Sequence, residues 1–138
     1  MITYLYLATP LITWFVAGSL KFLINSIKAK QWAFDLVGNG GMPSNHSAIV
    51  TSTTTMIALQ EGIQHPAFGI AFTLSFIVIL DAYGLRRAVG KHATRLNQLH
   101  PNTTPRLRER MGHTCAEIIG GIVVGGLVAD FSWAIFIG

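Results

Sequence analysis

Apolar and polar residues separate into long blocks along the chain. Residues 1–20 and 63–80 contain no Asp, Glu, Lys or Arg, and residues 118–138 contain only Asp130. About 20 apolar residues in a helix, at roughly 1.5 Å per residue, cross the hydrocarbon core of a bilayer. Each run therefore predicts a transmembrane helix. The first run has no basic start and no clear small-residue cleavage site before Lys21, so we interpret it as a retained helix rather than a signal peptide.

Residues 47–60 form a fourth candidate, which is shorter and rich in hydroxyl groups. If the helix starts at Ser44 it is long enough to cross the membrane, and its hydroxyls can bond to their own helix or to neighbouring ones. This suits a helix enclosed by others, and a soluble interfacial helix is the alternative. The hydroxyl residues are Ser47, Thr51, Ser52, Thr53, Thr54 and Thr55.

The blocks together predict an all-α integral membrane protein with four transmembrane helices in a bundle, forming a single domain over residues 1–138. We expect helices at 2–27, 44–61, 66–83 and 113–137, joined by polar loops at 28–43 and 84–112. Long polar loops between packed elements are where functional residues tend to lie.

Composition agrees with a membrane protein. The chain is 51% hydrophobic and 12% charged, against about 25% charged residues in a soluble domain, and its mean hydropathy is +0.48. This composition excludes a disordered chain, and one cysteine excludes a disulfide scaffold. Lys and Arg outnumber Asp and Glu by 10 to 6, but the apolar content favours a membrane over nucleic acid as the partner.

The basic residues indicate how the helices are oriented. All ten lie after the first uncharged run or after the third predicted helix, and none lies near the link at Glu61 or at the termini. With four crossings, both polar loops fall on one side of the membrane. The positive-inside rule makes that side cytoplasmic and places both termini outside.

The first candidate for chemistry is the segment 38–48, which reads Gly-Asn-Gly-Gly-Met-Pro-Ser-Asn-His-Ser-Ala. Glycines such as Gly41 allow a backbone to approach a ligand closely. Ser44 is a candidate N-cap, and a helix start offers free N–H groups and positive charge to a phosphate. His46, in that first turn, could bond a phosphate oxygen or give a proton to a leaving group. An ordinary helix cap after a loop is the alternative.

The second candidate is the start of the last predicted helix, at residues 112–117. His113 and Glu117 are four residues apart, so on a helix they share a face. A carboxylate bonded to one imidazole nitrogen leaves the other nitrogen free to attack or to take a proton. A surface hydrogen bond and half of a metal site are the alternatives.

Cations form the third candidate group. Lys21 ends the first uncharged run and Lys28 follows two turns later, and both could simply extend to the lipid headgroups. Arg86, Arg87 and Lys91 suit a phosphate or anionic lipid, or serve topology alone. With two histidines and a carboxylate on the same face, they supply the parts of a phosphoryl-transfer site. No dense Asp/Glu cluster exists to hold magnesium.

Two other features predict packing rather than chemistry. Gly121 and Gly125 form a small-xxx-small step, which indicates close helix packing within the protein or between copies. Cys115 lies among apolar neighbours and is expected to be packed rather than reactive.

These residues resemble the type-2 phosphatidic acid phosphatase and vanadium haloperoxidase superfamily, whose motifs are Lys-x6-Arg-Pro, Pro-Ser-Gly-His and Ser-Arg-x5-His-x3-Asp. Lys21-x6-Lys28 is similar to the first motif, residues 43–46 to the second, and His113-x3-Glu117 to the end of the third. Residues 40–48, 81–87 and 112–117 are closer still to the divergent branch of small bacterial and plastid proteins.

The resemblance implies roles for the candidate residues. His113 would attack phosphorus to form a phosphohistidine, Glu117 would orient it, and His46 would protonate the departing alkoxide, with no metal or other cofactor. Leu107 stands where the third motif has arginine, so a neighbouring arginine would supply that charge. The predicted phosphate-binding residues are Lys21, Lys28, Gly41, Ser44, Asn45, Arg86, Arg87, Lys91 and Arg108.

The resemblance also implies an architecture and a location. Superfamily members typically have six helices, and the four expected here would match the last four. A homodimer would cover the surface that the two missing helices would have occupied. The protein is expected in a bacterial cell membrane with its site facing the cytoplasm.

The predicted function is hydrolysis of a lipid phosphate monoester or pyrophosphate, such as phosphatidic acid, phosphatidylglycerophosphate or a polyprenyl phosphate. One alternative is a catalytically weak or inactive protein that binds or transports lipid phosphates. The others are a vanadate enzyme of the haloperoxidase kind and a metal-dependent hydrolase with His46, His113 and Glu117 as ligands.

Overall fold

The computed structural model describes residues 2–30, 41–102 and 104–137, and this part of the chain is helical without any strand. Residues 31–40, which include most of the predicted loop 28–43 and its glycines before Gly41, lie outside the described residues. The elements are α1 (Ile2–Ala29), α2 (Asn45–Glu61), α3 (Pro66–Leu80), a π-helical segment (Asp81–Leu85), α4 (Arg86–Leu99) and α5 (Cys115–Phe136).

The polar segment after α3 differs from the predicted loop at 84–112. The helix continues through the π-helical segment into α4 and ends only at Leu99. A polar helix is stable here because its small or polar residues Gly90, Ala93 and Asn97 are buried on one face, spaced as helical periodicity requires. Only residues 100–114 connect α4 to α5. That last helix begins at Cys115, with Thr114 as its N-cap, rather than at His113. Cys115 is exposed in this first turn, so the expectation that it is packed was wrong.

Helix α2 lies at the centre and packs against α1, α3 and α5. Its hydroxyl groups bond as expected for an enclosed helix. Ser52 and Thr53 donate to the carbonyl of Ile49, and Thr54 donates to that of Val50. Together with Ser47, which donates to the Ser44 hydroxyl, four of the six hydroxyl residues named above have hydrogen bonds within α2 or to its cap.

Close packing of α5 on α2 depends on two glycines. A Cβ atom at Gly121 would lie 2.4 Å from the Ser44 carbonyl oxygen, and one at Gly125 would lie 2.3 Å from that of Ala48. Any side chain at these positions would push the helices apart. The small-xxx-small step thus packs within the protein, and it aligns the N-terminus of α2 with that of α5.

Three helical stretches are long and apolar enough to cross a membrane: Tyr4–Ala29, Pro66–Leu99 and Cys115–Phe136. Pro66–Leu99 spans 34 residues, or about 51 Å at ~1.5 Å per residue, so it exceeds a ~30 Å hydrocarbon core. With 17 residues, α2 is not one of the three. That all four predicted transmembrane helices, which correspond to α1, α2, α3 and α5, cross the membrane stays a prediction.

Candidate functional site

Two contacts hold His113 at the entrance of α5. Its backbone N–H donates to the Ala82 carbonyl of the π-helical segment, at 3.0 Å. Its Nδ1 lies 3.0 Å from Glu117 Oε2. The imidazole is 7% exposed, and the contact through Nδ1 leaves Nε2 for a ligand. The predicted His113–Glu117 pair exists, although His113 precedes the helix instead of sitting on its face.

A capping box produces this arrangement. The Thr114 hydroxyl accepts from the Glu117 backbone N–H at 3.3 Å, while Glu117 Oε2 accepts from the Thr114 N–H at 3.1 Å. Thr-x-x-Glu at residues 114–117 is the sequence signature of this cap, and it would have located the start of α5. Glu117 therefore caps the helix and orients His113 at once.

His46 reaches the same place from the start of α2. Ser44 caps this helix, as predicted, by accepting from the Ser47 N–H. The Ser44 N–H donates to the Glu117 carbonyl at 2.9 Å, which ties the two helix starts together. The ring centroids of His46 and His113 are 6.0 Å apart. Both residues line one cavity, so a single ligand there could contact both rings.

A cavity of about 160 Å³ opens beside the two histidines. This volume is roughly five times the ~30 Å³ that a water molecule occupies, which is enough for a phosphate group. Its lining carries three cations and no carboxylate, so it favours an anion. We call it the cation pocket; it is lined by Lys21, Asn45, His46, Arg86, Arg108, Met111, Gly112 and His113.

Two polar atoms at the start of α2 have no hydrogen-bond partner among the described residues. They are Asn45 Oδ1 and His46 Nδ1, and both are buried. A buried polar atom without a partner costs about 1–3 kcal/mol.

The π-helical segment places Arg86 in the pocket. Arg86 Nε donates to Asp81 Oδ2 at 3.0 Å, so a partner holds the guanidinium while its terminal nitrogens remain available. Arg86 and Arg108 are the arginines that line the pocket.

Several predicted phosphate-binding residues lie outside the pocket lining. Arg87 stands over the Tyr83 ring, with its guanidinium carbon 5.2 Å from the centroid, because the next helical position points away from that of Arg86. Lys91 is exposed on α4. Lys28 is exposed in the last turn of α1, about 10 Å beyond Lys21 along the axis.

Gly41 and Ser44 support the pocket without lining it. A Cβ atom at Gly41 would lie 3.4 Å from Lys21 Cε, so Gly41 lies close to the Lys21 side chain. The Ser44 side chain is fully buried, and its hydroxyl accepts from the Ser47 N–H and hydroxyl. The helix cap therefore occupies the Ser44 hydroxyl oxygen, which the resemblance predicted to bind phosphate.

The segment 105–112 forms one wall of the pocket, and sequence reasoning missed how α4 holds it. The Asn97 side chain donates to the Leu107 carbonyl at 2.8 Å and to Glu109 Oε1 at 2.7 Å, and it accepts from the Leu107 N–H. Thr94 donates to Glu109 Oε2. These hydrogen bonds hold the pKa of the Glu109 carboxyl below its usual value.

Position 112, at the end of this segment, can be occupied only by glycine. Its φ is +87°, and a Cβ atom there would lie 2.4 Å from Arg87 Cγ. The segment therefore crosses the start of α4 too closely for any side chain. Met111, which also lines the pocket, is another residue that sequence reasoning did not identify.

No three His, Cys, Asp or Glu side chains in residues 2–30, 41–102 and 104–137 form a group that could hold a metal ion. His46, His113 and Glu117, the ligands of the metal-dependent alternative, do not form such a group.

Comparison with known proteins places the chain in a family. A family model described as "Divergent PAP2 family" matches residues 3–128. The chain is 30% identical over 131 residues to a Bacillus subtilis (strain 168) protein described as "Uncharacterized membrane protein YuiD", covering 81% of this chain and 83% of that one. No solved structure matches the chain. This is a membrane protein that belongs to the Divergent PAP2 family.

Proposed function

We propose that the protein is a membrane phosphatase that hydrolyses a lipid phosphate monoester or pyrophosphate through a phosphohistidine intermediate, without a metal. The observation that carries this proposal is the 6.0 Å separation of the His46 and His113 rings beside a pocket lined by three cations. Two imidazoles that line one anion pocket can act as nucleophile and acid.

The first step transfers the phosphoryl group to His113. With Nδ1 held by Glu117, the lone pair of Nε2 attacks phosphorus, and the bond from phosphorus to the lipid oxygen breaks. His46 gives its proton to the departing alkoxide, which leaves as the alcohol. Lys21, Arg86 and Arg108 line the pocket and balance the charge on the phosphoryl oxygens.

The second step regenerates the enzyme. Neutral His46 takes a proton from a water molecule, whose oxygen attacks phosphorus as the bond to His113 breaks. Inorganic phosphate leaves, and His113 again lies against Glu117. Each proton removed from water at His46 replaces the one given to the alkoxide, so the cycle balances.

The lipid assignment comes from the membrane-spanning helices and the family. Since α1, α3 and α5 expose many apolar side chains, we infer that these helices face lipid. We place the pocket at the cytoplasmic face, because the basic residues cluster on that side of the predicted topology.

Phosphate release from a panel of lipid phosphates in detergent tests this function. The panel contains phosphatidic acid, phosphatidylglycerophosphate and polyprenyl phosphate and pyrophosphate, each with and without EDTA or vanadate. We expect EDTA-resistant release that vanadate inhibits and His113→Ala abolishes. His92→Ala, on the exposed side of α4, serves as the control with normal activity.

Two results would contradict the proposal. Saturable binding of lipid phosphate with no phosphate release by wild type would indicate a binding or transport protein. Activity lost in EDTA and restored by zinc would indicate a metal-dependent hydrolase.

A further inference from the structure

The chain after α4 turns back and runs along that helix in the opposite direction. Asn97, in the last turn of α4, bonds to the backbone of Leu107. Farther along the chain, Gly112 passes the first turn of α4 so closely that a Cβ atom there would overlap Arg87. The 105–112 segment therefore docks antiparallel to α4, and its later residues reach the cation pocket.

One side chain of α4 bonds to the residues on both sides of Arg108. Asn97 Nδ2 donates to the Leu107 carbonyl at 2.8 Å and to Glu109 Oε1 at 2.7 Å, and Asn97 Oδ1 accepts from the Leu107 N–H at 3.0 Å. Asn97 is 7% exposed, so little water competes for these bonds. Arg108, between the two bonded residues, lines the cation pocket. The Asn97 amide thus fixes the stretch of backbone from which the Arg108 side chain reaches the pocket.

His113, which follows the segment, is held by other contacts. Its backbone N–H donates to the Ala82 carbonyl at 3.0 Å, and its Nδ1 lies 3.0 Å from Glu117 Oε2. Neither contact involves Asn97. Loss of the Asn97 amide should therefore displace Arg108 while His113 keeps its place.

We propose that Asn97 is a positioning residue, which holds Arg108 in the cation pocket and thereby sets the affinity of the pocket for the phosphate group of the substrate. This inference rests on the proposed function for the identity of the substrate. A long cationic side chain on a loosely held connection would lose conformational freedom each time it bound an anion, whereas a docked segment has already lost it. The asparagine acts through the arginine and does not line the pocket itself.

The test combines removal of the anchor with removal of the side chain that it positions. The variants are Asn97→Ala, Arg108→Ala and the double variant that carries both changes. Gln98→Ala is the matched control, because it removes a side-chain amide from the adjacent, exposed position of α4. The measurements are the Kd for inorganic phosphate at equilibrium, and kcat and KM for phosphatidic acid, all in one detergent.

Arg108→Ala should raise the Kd for inorganic phosphate about tenfold, because it removes a charged donor to the anion. Asn97→Ala should raise that Kd about fivefold, and should raise KM while changing kcat by less than about twofold. The double variant should bind phosphate within about twofold of Arg108→Ala alone, because two residues that act through one contact are not additive. Gln98→Ala should match wild type in every measurement.

A second variant tests the inference with Asn97 in place, in case Asn97→Ala does not fold. Thr94 Oγ1 donates to Glu109 Oε2 at 3.2 Å, so Thr94→Val removes a weaker anchor of the same segment. It should raise the Kd for inorganic phosphate about threefold in the wild-type background and have little effect in the Arg108→Ala background. Thermal unfolding in detergent shows which variants are folded.

Three results would overturn the inference while leaving the proposed function intact. One is a double variant whose loss of affinity equals the product of the two single losses. Another is an unchanged Kd in folded Asn97→Ala. The third is a fall in kcat with KM unchanged, which would indicate that Asn97 supports the nucleophile instead.

Failure of the proposed function gives a different pattern. If wild type binds inorganic phosphate but releases none from phosphatidic acid, and the double variant still binds like Arg108→Ala, the proposed function fails and the positioning role of Asn97 stands. Wild type that neither binds inorganic phosphate nor releases it from phosphatidic acid would overturn both.

Discussion

One carboxylate oxygen, Glu117 Oε2, lies 3.0 Å from His113 Nδ1 and 3.1 Å from the Thr114 backbone nitrogen. The cap of α5 and the orientation of His113 therefore depend on the same atom. Glutamate and glutamine are the residues that complete a capping box from this position. This accounts for glutamate here, where the superfamily motif has aspartate.

The two roles of Glu117 can be separated by substitution. Glu117→Gln keeps a capping side chain but removes the charge that stabilises the imidazolium formed during attack, so kcat should fall about a hundredfold or more with little loss of stability. Thr114→Ala removes a cap acceptor and should cost about 1 kcal/mol of stability with a smaller effect on kcat. Phosphate release and thermal unfolding in detergent measure both. A Glu117→Gln variant with full activity would exclude the orienting role.

Adjacent arginines should differ in their effect on substrate binding. Arg86 lines the cation pocket, while Arg87 stacks on Tyr83. Lysine cannot reproduce the fork of a guanidinium that also bonds Asp81. We therefore expect Arg86→Lys to raise KM about tenfold and Arg87→Lys to leave KM nearly unchanged. Equal effects at the two positions in steady-state kinetics would contradict this assignment.

The α2–α5 contact should be sensitive to a single methyl group. Gly121→Ala places a Cβ atom 2.4 Å from the Ser44 carbonyl oxygen, and such overpacking costs about 1–3 kcal/mol. Because Ser44 begins the helix that carries His46, activity should fall as well. Gly126→Ala is the control, since nothing lies within 4 Å of its Cβ position; thermal unfolding of the control should match or exceed wild type.

Docking of the 105–110 segment on α4 should weaken in acid. Hydrogen bonds from Asn97 and Thr94 hold the pKa of Glu109 below its usual value near 4.5. A carboxyl with a depressed pKa stabilises the folded state above its unfolded pKa, and this stability is lost as pH falls through the folded pKa. Hydrogen exchange of residues 105–110 should therefore accelerate, relative to its intrinsic rate, below about pH 4.5. Glu109→Gln should remove this dependence, and an unchanged pH profile in that variant would show that another group is responsible.

Local patterns predicted much of the fold. The long uncharged runs placed α1, α3 and α5, the Ser44 cap placed α2, and the Gly121–Gly125 step predicted close packing. Helix α4 was missed because most of its residues are polar, although Val89, Leu96 and Leu99 recur at helical spacing and would have indicated an amphipathic helix. The π-helical segment has no sequence signal of its own.

The sequence predicted which residue types form the candidate site better than it predicted which of them line the pocket. Spacing alone paired His113 with Glu117, and the topology placed Lys21 and the arginines on one side. Which cation enters the pocket depends on rotation about a helix axis, which separates Arg86 from Arg87, and on axial distance, which separates Lys21 from Lys28. The Asn97 contacts join residues ten or more positions apart, so no local pattern indicates them.

The most direct test of the account is to capture the phosphoryl group on the protein. Wild type and His113→Ala are mixed with a lipid phosphate labelled in its phosphoryl group, quenched within milliseconds in alkali, and analysed by peptide mass spectrometry. The account predicts a phosphoryl group on the peptide containing His113 in wild type, and neither label nor phosphate release in His113→Ala. Full turnover by His113→Ala would contradict the account.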